Sequence, residues 1–273
     1  MTRALENIRV AIPENRYPEQ LTTLLEREGA TVVSCPLVRE TPHEDSEGAR
    51  RFIELCETGA ADYVIFYTGV GVNFLLRAVN KPAALAGPKI LARGPKAVAA
   101  LRRAGVRIDF IADSPTTEGI LETLSRQEMK DKSVLVQLYG QENAKLCSTL
   151  ESWGASVTAI SLYRYTYASD DDAIAKLFAE IREGRVDAIC FTSAPQIRFL
   201  MAAAAEQGVE DEIRSRLSRD VVIVSIGEVT ARALSEAGLA AHIIPQDPRM
   251  GPMVKALANF FERRRSACST PSS

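Results

Sequence analysis

Metal-binding side chains are scarce in this chain. Histidine occurs only at His43 and His242, and the five cysteines (Cys35, Cys56, Cys147, Cys190, Cys268) are scattered, without a C-x-x-C pair. Nothing has metal-ligand spacing, which argues against a structural or catalytic ion. Cys35 and Cys190 lie inside apolar runs and read as small buried hydrophobes. Long hydrophobic stretches are missing too. No run approaches the ~20 apolar residues of a membrane span, and the opening "MTRALENIRV" lacks an apolar signal core. We therefore expect a cytoplasmic protein that does not enter a membrane. Charge imbalance is also absent: the net charge is −2, so no global field gathers nucleic acid or an acidic membrane surface. Any anionic ligand must be held by local groups. There is no P-loop and no nucleophile elbow, and the G-x-G of "TGVGV" lacks the remaining glycine and the acidic residue of a dinucleotide fingerprint. With no histidine in any motif, acid–base work falls to Tyr, Lys or carboxylates.

What is present is ordinary core-forming material in a repeated order. The 273 residues are 46% hydrophobic and 25% charged, enough for one large domain or two modest ones. Residues 8–39, "IRVAIPENRYPEQLTTLLEREGATVVSCPLVR", align without a gap on residues 133–164, "SVLVQLYGQENAKLCSTLESWGASVTAISLYR", at an offset of 125 (Gly154 against Gly29). The same offset pairs "DYVIFYTGVGVNFLL" (62–76) with "DAICFTSAPQIRFLM" (187–201). A third block, 90–115 against 222–248, follows at an offset of 133 (Gly227 against Gly94). Each block reads as a buried strand, a turn of small or hydroxyl residues, an amphipathic helix and a closing glycine. Such units build a mostly parallel sheet covered by helices, so two copies predict an α/β chain of two similar domains. The C-terminal "RRRSACSTPSS" reads as a disordered tail, its Arg263–Arg265 run being a solvated helix end.

Ligands of open α/β sheets bind beyond the carboxyl ends of the strands. Four turns qualify: "YTGVG" (67–71), "ARGPKA" (92–97), "FTSAP" (191–195) and "SIGEVT" (225–230). Their helix-start N–H groups suit an anion. Thr68, Ser193 and Thr230 add hydroxyls, and Gly69, Gly94 and Gly227 permit close approach. The same residue types serve equally as helix N-caps with no ligand. The stretch "SLYRYTYAS" sets Tyr163, Tyr165 and Tyr167 at period two, which predicts a strand with all three phenols on one face. Tyr163 falls on Val38 in the repeat, so this position differs where its surroundings match.

The ordered set of these blocks, from about residue 8 to residue 260, resembles uroporphyrinogen-III synthase. The resemblance implies two α/β domains, residues 1–36 plus 168–273 and residues 42–161, joined by a two-stranded ladder of 37–41 and 162–167 beside an inter-domain cleft. It implies a monomer without cofactor that closes hydroxymethylbilane, a linear tetrapyrrole octacarboxylate, with inversion of the last ring. Tyr163 matches the tyrosine proposed to assist hydroxyl departure. Thr68, Gly69, Gly94, Lys96, Thr192, Ser193, Ala194, Gly227 and Thr230 are the candidate substrate contacts. The chain departs from the family pattern at Ile12-Pro13 (often Thr-Arg), at Tyr67-Thr68 (often Thr-Ser) and at Ala97 (often Thr). Arg16, Arg93 and Lys96 are the nearest cations. Two other readings are a synthase-like protein that binds a tetrapyrrole or polyanion without turnover, and a two-domain receptor for small solutes.

Overall fold

The structure, a computed structural model, describes residues 3–42, 47–138 and 143–268. His43, the Cys268 side chain and residues 269–273 lie outside the described residues. In chain order the elements begin with β1 (Arg9–Ile12), α1 (Pro18–Arg27), β2 (Thr31–Ser34), β3 (Val38–Pro42) and α2 (Glu47–Glu57). There follow β4 (Tyr63–Phe66), α3 (Gly69–Val79), β5 (Lys89–Ala92), α4 (Pro95–Arg103), β6 (Phe110–Ile111) and α5 (Thr117–Leu124). Then come β7 (Ser133–Leu138), α6 (Ala144–Ser152), β8 (Ser156–Ser161), β9 (Tyr163–Tyr167) and α7 (Asp171–Arg182). The chain closes with β10 (Ala188–Phe191), α8 (Ala194–Glu206), α9 (Glu210–Asp220), β11 (Val222–Ser225), α10 (Glu228–Glu236) and α11 (Met250–Cys268).

These elements form two compact units, residues 1–39 with 166–273 and residues 40–165. The first carries a parallel sheet in the order β11-β10-β1-β2, the second a parallel sheet in the order β6-β5-β4-β7-β8. Strands β3 and β9 make a separate antiparallel pair where the chain passes between units. The fold class is thus the expected α/β arrangement of helix-flanked parallel sheets. β4 and β10 are buried at every residue, as strands covered on both faces must be. In the second unit Phe52, Val72, Leu75 and Leu101 from α2, α3 and α4 cover one face. Ile120, Leu124, Leu146 and Leu150 from α5 and α6 cover the other. In the first unit Leu21 and Leu25 of α1 pack with Met253 and Leu257 of α11.

The repeat is visible in the backbone. Gly29 and Gly154 follow α1 and α6 with φ of 101° and 88°, the left-handed conformation that ends a helix where a side chain would be strained. The pairs Leu91–Phe110 and Val224–Ile243 occupy the same place in their sheets at the offset of 133. Two expectations need correction. First, the opening strand of the repeat is not ungapped. The Asp62 carboxylate accepts from Ser133 N (2.9 Å), whereas the Asp187 carboxylate accepts from Arg9 N (2.7 Å). Thr31 N donates to Ile8 O as Ser156 N donates to Lys132 O. β1 therefore matches β7 at 124 while α1 matches α6 at 125, so the second copy has one residue more between matched strand and helix positions. A strand apolar on both faces has no in–out alternation to betray such a slip.

Second, residues 263–268 are not a free tail: α11 continues to Cys268, and the rest of the expected tail lies outside the described residues. Buried Met253, Leu257, Ala258 and Phe261 hold its earlier turns, and the Arg265 guanidinium donates to the carbonyls of Ala4 and Arg3. Arg263–Arg265 are solvent-exposed, as a solvated helix end should be. Cys35 and Cys190 are buried as expected, and burial pushes the Cys190 thiol up to about 12.

Asp62 begins β4 by fastening it to β7. The Ser133 N–H, with Lys132 adding to it, holds its carboxyl below the ordinary carboxylate range. A depressed folded-state value means stability that is present above the unfolded pKa and lost as pH falls through the folded one. We expect Asp62→Asn to lower the urea midpoint at pH 7 and to flatten its fall below about pH 4. Parallel acid dependences in variant and wild type would remove this role.

Candidate active site

The carboxyl end of β4 in the second unit carries a connected group of polar side chains. Thr68 caps α3: its Oγ1 accepts from Gly71 N (3.0 Å) and lies 3.2 Å from the Tyr163 hydroxyl. Tyr163 opens β9 and is wholly buried, its ring 5.5 Å from Phe74 and edge-on to Tyr165 at 5.7 Å. Beside this pair, Tyr67 accepts from Asn143 Nδ2 (2.7 Å) and lies 3.4 Å from Thr117 Oγ1. The Arg93 guanidinium stands over the Tyr67 ring at 4.8 Å. Thr68 N donates to Gln137 Oε1 (3.3 Å), and Gln137 itself has no exposure. Tyr167, the third phenol of the strand, meets other partners in the first unit: Phe199 at 4.8 Å and the Glu206 carboxylate at 3.4 Å. Burial first, and Glu206 second, raise its pKa.

In the first unit the matching end of β10 is organised around a buried carboxylate. Glu14 is 4% exposed; its Oε1 accepts from Arg16 N (2.6 Å) and Tyr17 N (3.2 Å). Its Oε2 accepts from the Thr192 hydroxyl and from Gln196 Nε2 (3.3 Å). Gln196 Oε1 in turn accepts from Thr192 N (2.8 Å) and Ser193 N (3.3 Å). Two N–H groups expected to face an anion are thus already satisfied by a side chain. Ala194 is the first residue of α8, next to these two.

The glycines have a local explanation as well. A Cβ on Gly69 would lie 2.5 Å from Lys96 O, so glycine lets α3 and α4 touch. Gly94 and Gly227 cap α4 and α10, where a Cβ would come within 3.0 Å of Pro115 and 3.1 Å of Pro248. The close approach these glycines permit is used by the protein itself. Lys96 is exposed at the start of α4, and Thr230 is buried in the first turn of α10.

Within one unit the structure therefore brings Tyr163, Thr68 and Gly69 together, with Gly94 and Lys96 on the adjoining helix. In the other it brings Thr192, Ser193 and Ala194 together, with Gly227 and Thr230 at the start of α10. Sequence reasoning passed over Glu14, Gln137, Gln196 and Asn143. Gln137 was signalled as the single polar residue inside "VLVQL", and Gln196 by the spacing Ser193-x-x-Gln196, a capping box. Among the described residues no three His, Cys, Asp or Glu converge to hold an ion.

A family model described as Uroporphyrinogen-III synthase HemD matches residues 19–255. The chain belongs to the uroporphyrinogen-III synthase family. A mutant uroporphyrinogen III synthase from the extremely thermophilic bacterium Thermus thermophilus superimposes with a TM-score of 0.78 at 27% identity, covering 94% of this chain and 99% of that one. A Bacillus subtilis protein, YjjA, described as uncharacterized, is 31% identical over 97% of this chain and 100% of its own length. A putative uroporphyrinogen-III synthase of Methanothermobacter thermautotrophicus is 27% identical over 91% of this chain and 96% of its own. Family membership replaces the small-solute receptor reading. As a member of the synthase family the chain is of the general lyase kind, and no described helix is long and apolar enough to cross a membrane.

Glu14 offers a test of the first unit's turn. Glu14→Ala removes an acceptor shared by four donors, two of them backbone N–H groups, so we expect about 2–4 kcal/mol of lost stability. Glu14→Gln, which keeps an acceptor, should lose less than half as much by urea unfolding. Equal losses would mean that the carboxylate's hydrogen bonds contribute little.

Proposed function

We propose that this chain is a uroporphyrinogen-III synthase that closes hydroxymethylbilane to the macrocycle with inversion of the last pyrrole ring and loss of water. The observation that carries this reading is the Tyr163–Thr68 hydroxyl pair, 3.2 Å apart at the end of β4, in a chain of this family. The terminal pyrrole nitrogen pushes out the hydroxyl, which leaves as water once protonated, and an azafulvenium cation remains. The substituted carbon of the same ring attacks it to give a spiro intermediate. That intermediate fragments and recloses in the inverted sense.

The substrate closes unaided to the wrong isomer, so the enzyme's work is mostly orientation. Tyr163 donates a hydrogen bond to the departing hydroxyl, a role that suits a phenol whose ordinary pKa is ~10. Because Tyr163 is wholly covered here, substrate reaches it only when its covering side chains move aside. The substrate's carboxylates are held by local groups, among them Lys96, the Ser193 hydroxyl and the start of α8. Gly94, Gly227 and Thr230 shape the starts of α4 and α10 for the same task. The chain works as a monomer in the cytoplasm, without a cofactor. A second reading, binding of a tetrapyrrole or polyanion without turnover, is favoured by Ala97 standing where Thr230 stands in the other copy.

Supplied with bilane by a bilane-producing enzyme, the protein should release mainly the type III isomer, with or without EDTA. Type I alone, as in the enzyme-free blank, would leave the binding reading in its place. Tyr163→Phe should lower kcat about 10–1000-fold, the range of a lost hydrogen bond to a developing charge. It should also cost about 1 kcal/mol of stability, since Thr68 loses a partner. Tyr165→Phe is the control on the same strand, because Tyr167 has its own bond to Glu206. Similar kinetic losses at Tyr163 and Tyr165 would return the strand to plain packing.

A further inference from the structure

The two copies of the repeat solve one problem with the same chemical group taken from opposite sides. In the first unit, Gln196 on α8 closes the capping box, its Oε1 accepting from the N–H groups of Thr192 and Ser193. The strand facing it, β1, ends at Ile12 and is followed by Pro13. In the second unit the counterpart of Gln196 is Gly71 (196 − 125), so the box Thr68-x-x-Gly71 has lost its carboxamide. The carboxamide arrives instead from β7. Gln137, in the place of Pro13 by the corrected offset (137 − 124), accepts from Thr68 N at 3.3 Å and donates through Nε2 to Leu138 O. A Cβ on Gly71 would overlap the Gln137 carboxamide. Position 71 carries no side chain because Gln137 fills that space.

We propose that Gln137 is a positioning residue for Tyr163, acting through Thr68; this rests on the synthase reading above. Thr68 is gripped at two points. Its N–H is held by Gln137, and its Oγ1 receives the Gly71 N–H at 3.0 Å while meeting the phenol at 3.2 Å. The hydroxyl has one proton to give. Given to the phenol oxygen, it turns the phenol's own proton away from Thr68 and toward the departing hydroxyl of the substrate. Gln137 fixes where Oγ1 stands, and thereby where the phenol points. The carboxamide is the group required, since it accepts from Thr68 and donates to the Leu138 carbonyl at once. A carboxylate at 137 would set two acceptors against each other in a dry site.

The test is a set of variants of the full-length protein. Gln137→Ala should lower kcat for type III product about tenfold with KM within about twofold, the pattern of an interaction expressed in the transition state. In a Tyr163→Phe background the same change should cost no further kcat, because the group it positions is gone. Gly71→Gln alone should lower Tm, as it overlaps Gln137. Gly71→Gln with Gln137→Ala rebuilds the box found at Ser193-x-x-Gln196 and should return kcat to within about threefold of wild type. A full tenfold loss from Gln137→Ala in both backgrounds, or no loss in either, would overturn the proposal. Should the wild type yield type I product only, the synthase reading fails first. The coupling is then read from unfolding midpoints of Gln137→Ala, Tyr163→Phe and the double variant: additive shifts overturn the relay, and sub-additive shifts sustain it.

Discussion

A parallel strand buried on both faces can expose nothing to water, so its first and last backbone groups must be satisfied by the protein. β4 and β10 are such strands, and the rest of each unit is arranged around that demand. At their entry ends, Asp62 and Asp187 receive the N–H of the neighbouring strand. At their exits, a glutamine carboxamide receives the N–H groups of the turn. The exits are also where a ligand of an open α/β sheet would bind. The candidate hydroxyls therefore stand on scaffolding that already has a structural duty, as Thr68 does in capping α3.

The α/β class was legible because it follows from local signals: apolar runs, hydroxyl turns and glycines such as Gly29 and Gly154 recurring in one order. The slip of β1 was not, because Val10–Ile12 and Val134–Leu138 are buried on both faces and show no in–out alternation to fix their register. The helical run through Arg263–Arg265 was obscured by its composition. What extends it is an apolar stripe beginning at Met253 and an arginine bonded to carbonyls near the N-terminus, some 260 residues away. Glycine was ambiguous in a different way. Gly69, Gly94 and Gly227 signal close approach correctly, yet Lys96, Pro115 and Pro248 are what approach them.

The candidate site was legible in its members more than in its bonds. Tyr163 and Thr68 were both singled out, but they are 95 residues apart and only the fold makes them touch. Glu14 gave no signal beside Ile12-Pro13, because its partners Thr192 and Gln196 are some 180 residues away in the chain. A lone carboxylate in a loop carries no pattern until the strand next to it is known. Gln137 had a signal, a polar residue amid apolar neighbours, whose meaning depends on the absence of a side chain at Gly71.

The order of strands in the first sheet also governs the order in which the chain can complete itself on the ribosome. β1 sits between β2 and β10, and β10 begins 179 residues after β1 does (188 − 9). At ~5–20 residues per second the N-terminal strand waits roughly 9–36 s for its second neighbour. The unit of residues 40–165 is continuous in the chain and needs no such wait. It can be complete while Val10, Ala11 and Ile12 still lack one side of their sheet, so the nascent N-terminus is where a holding chaperone would have most to cover.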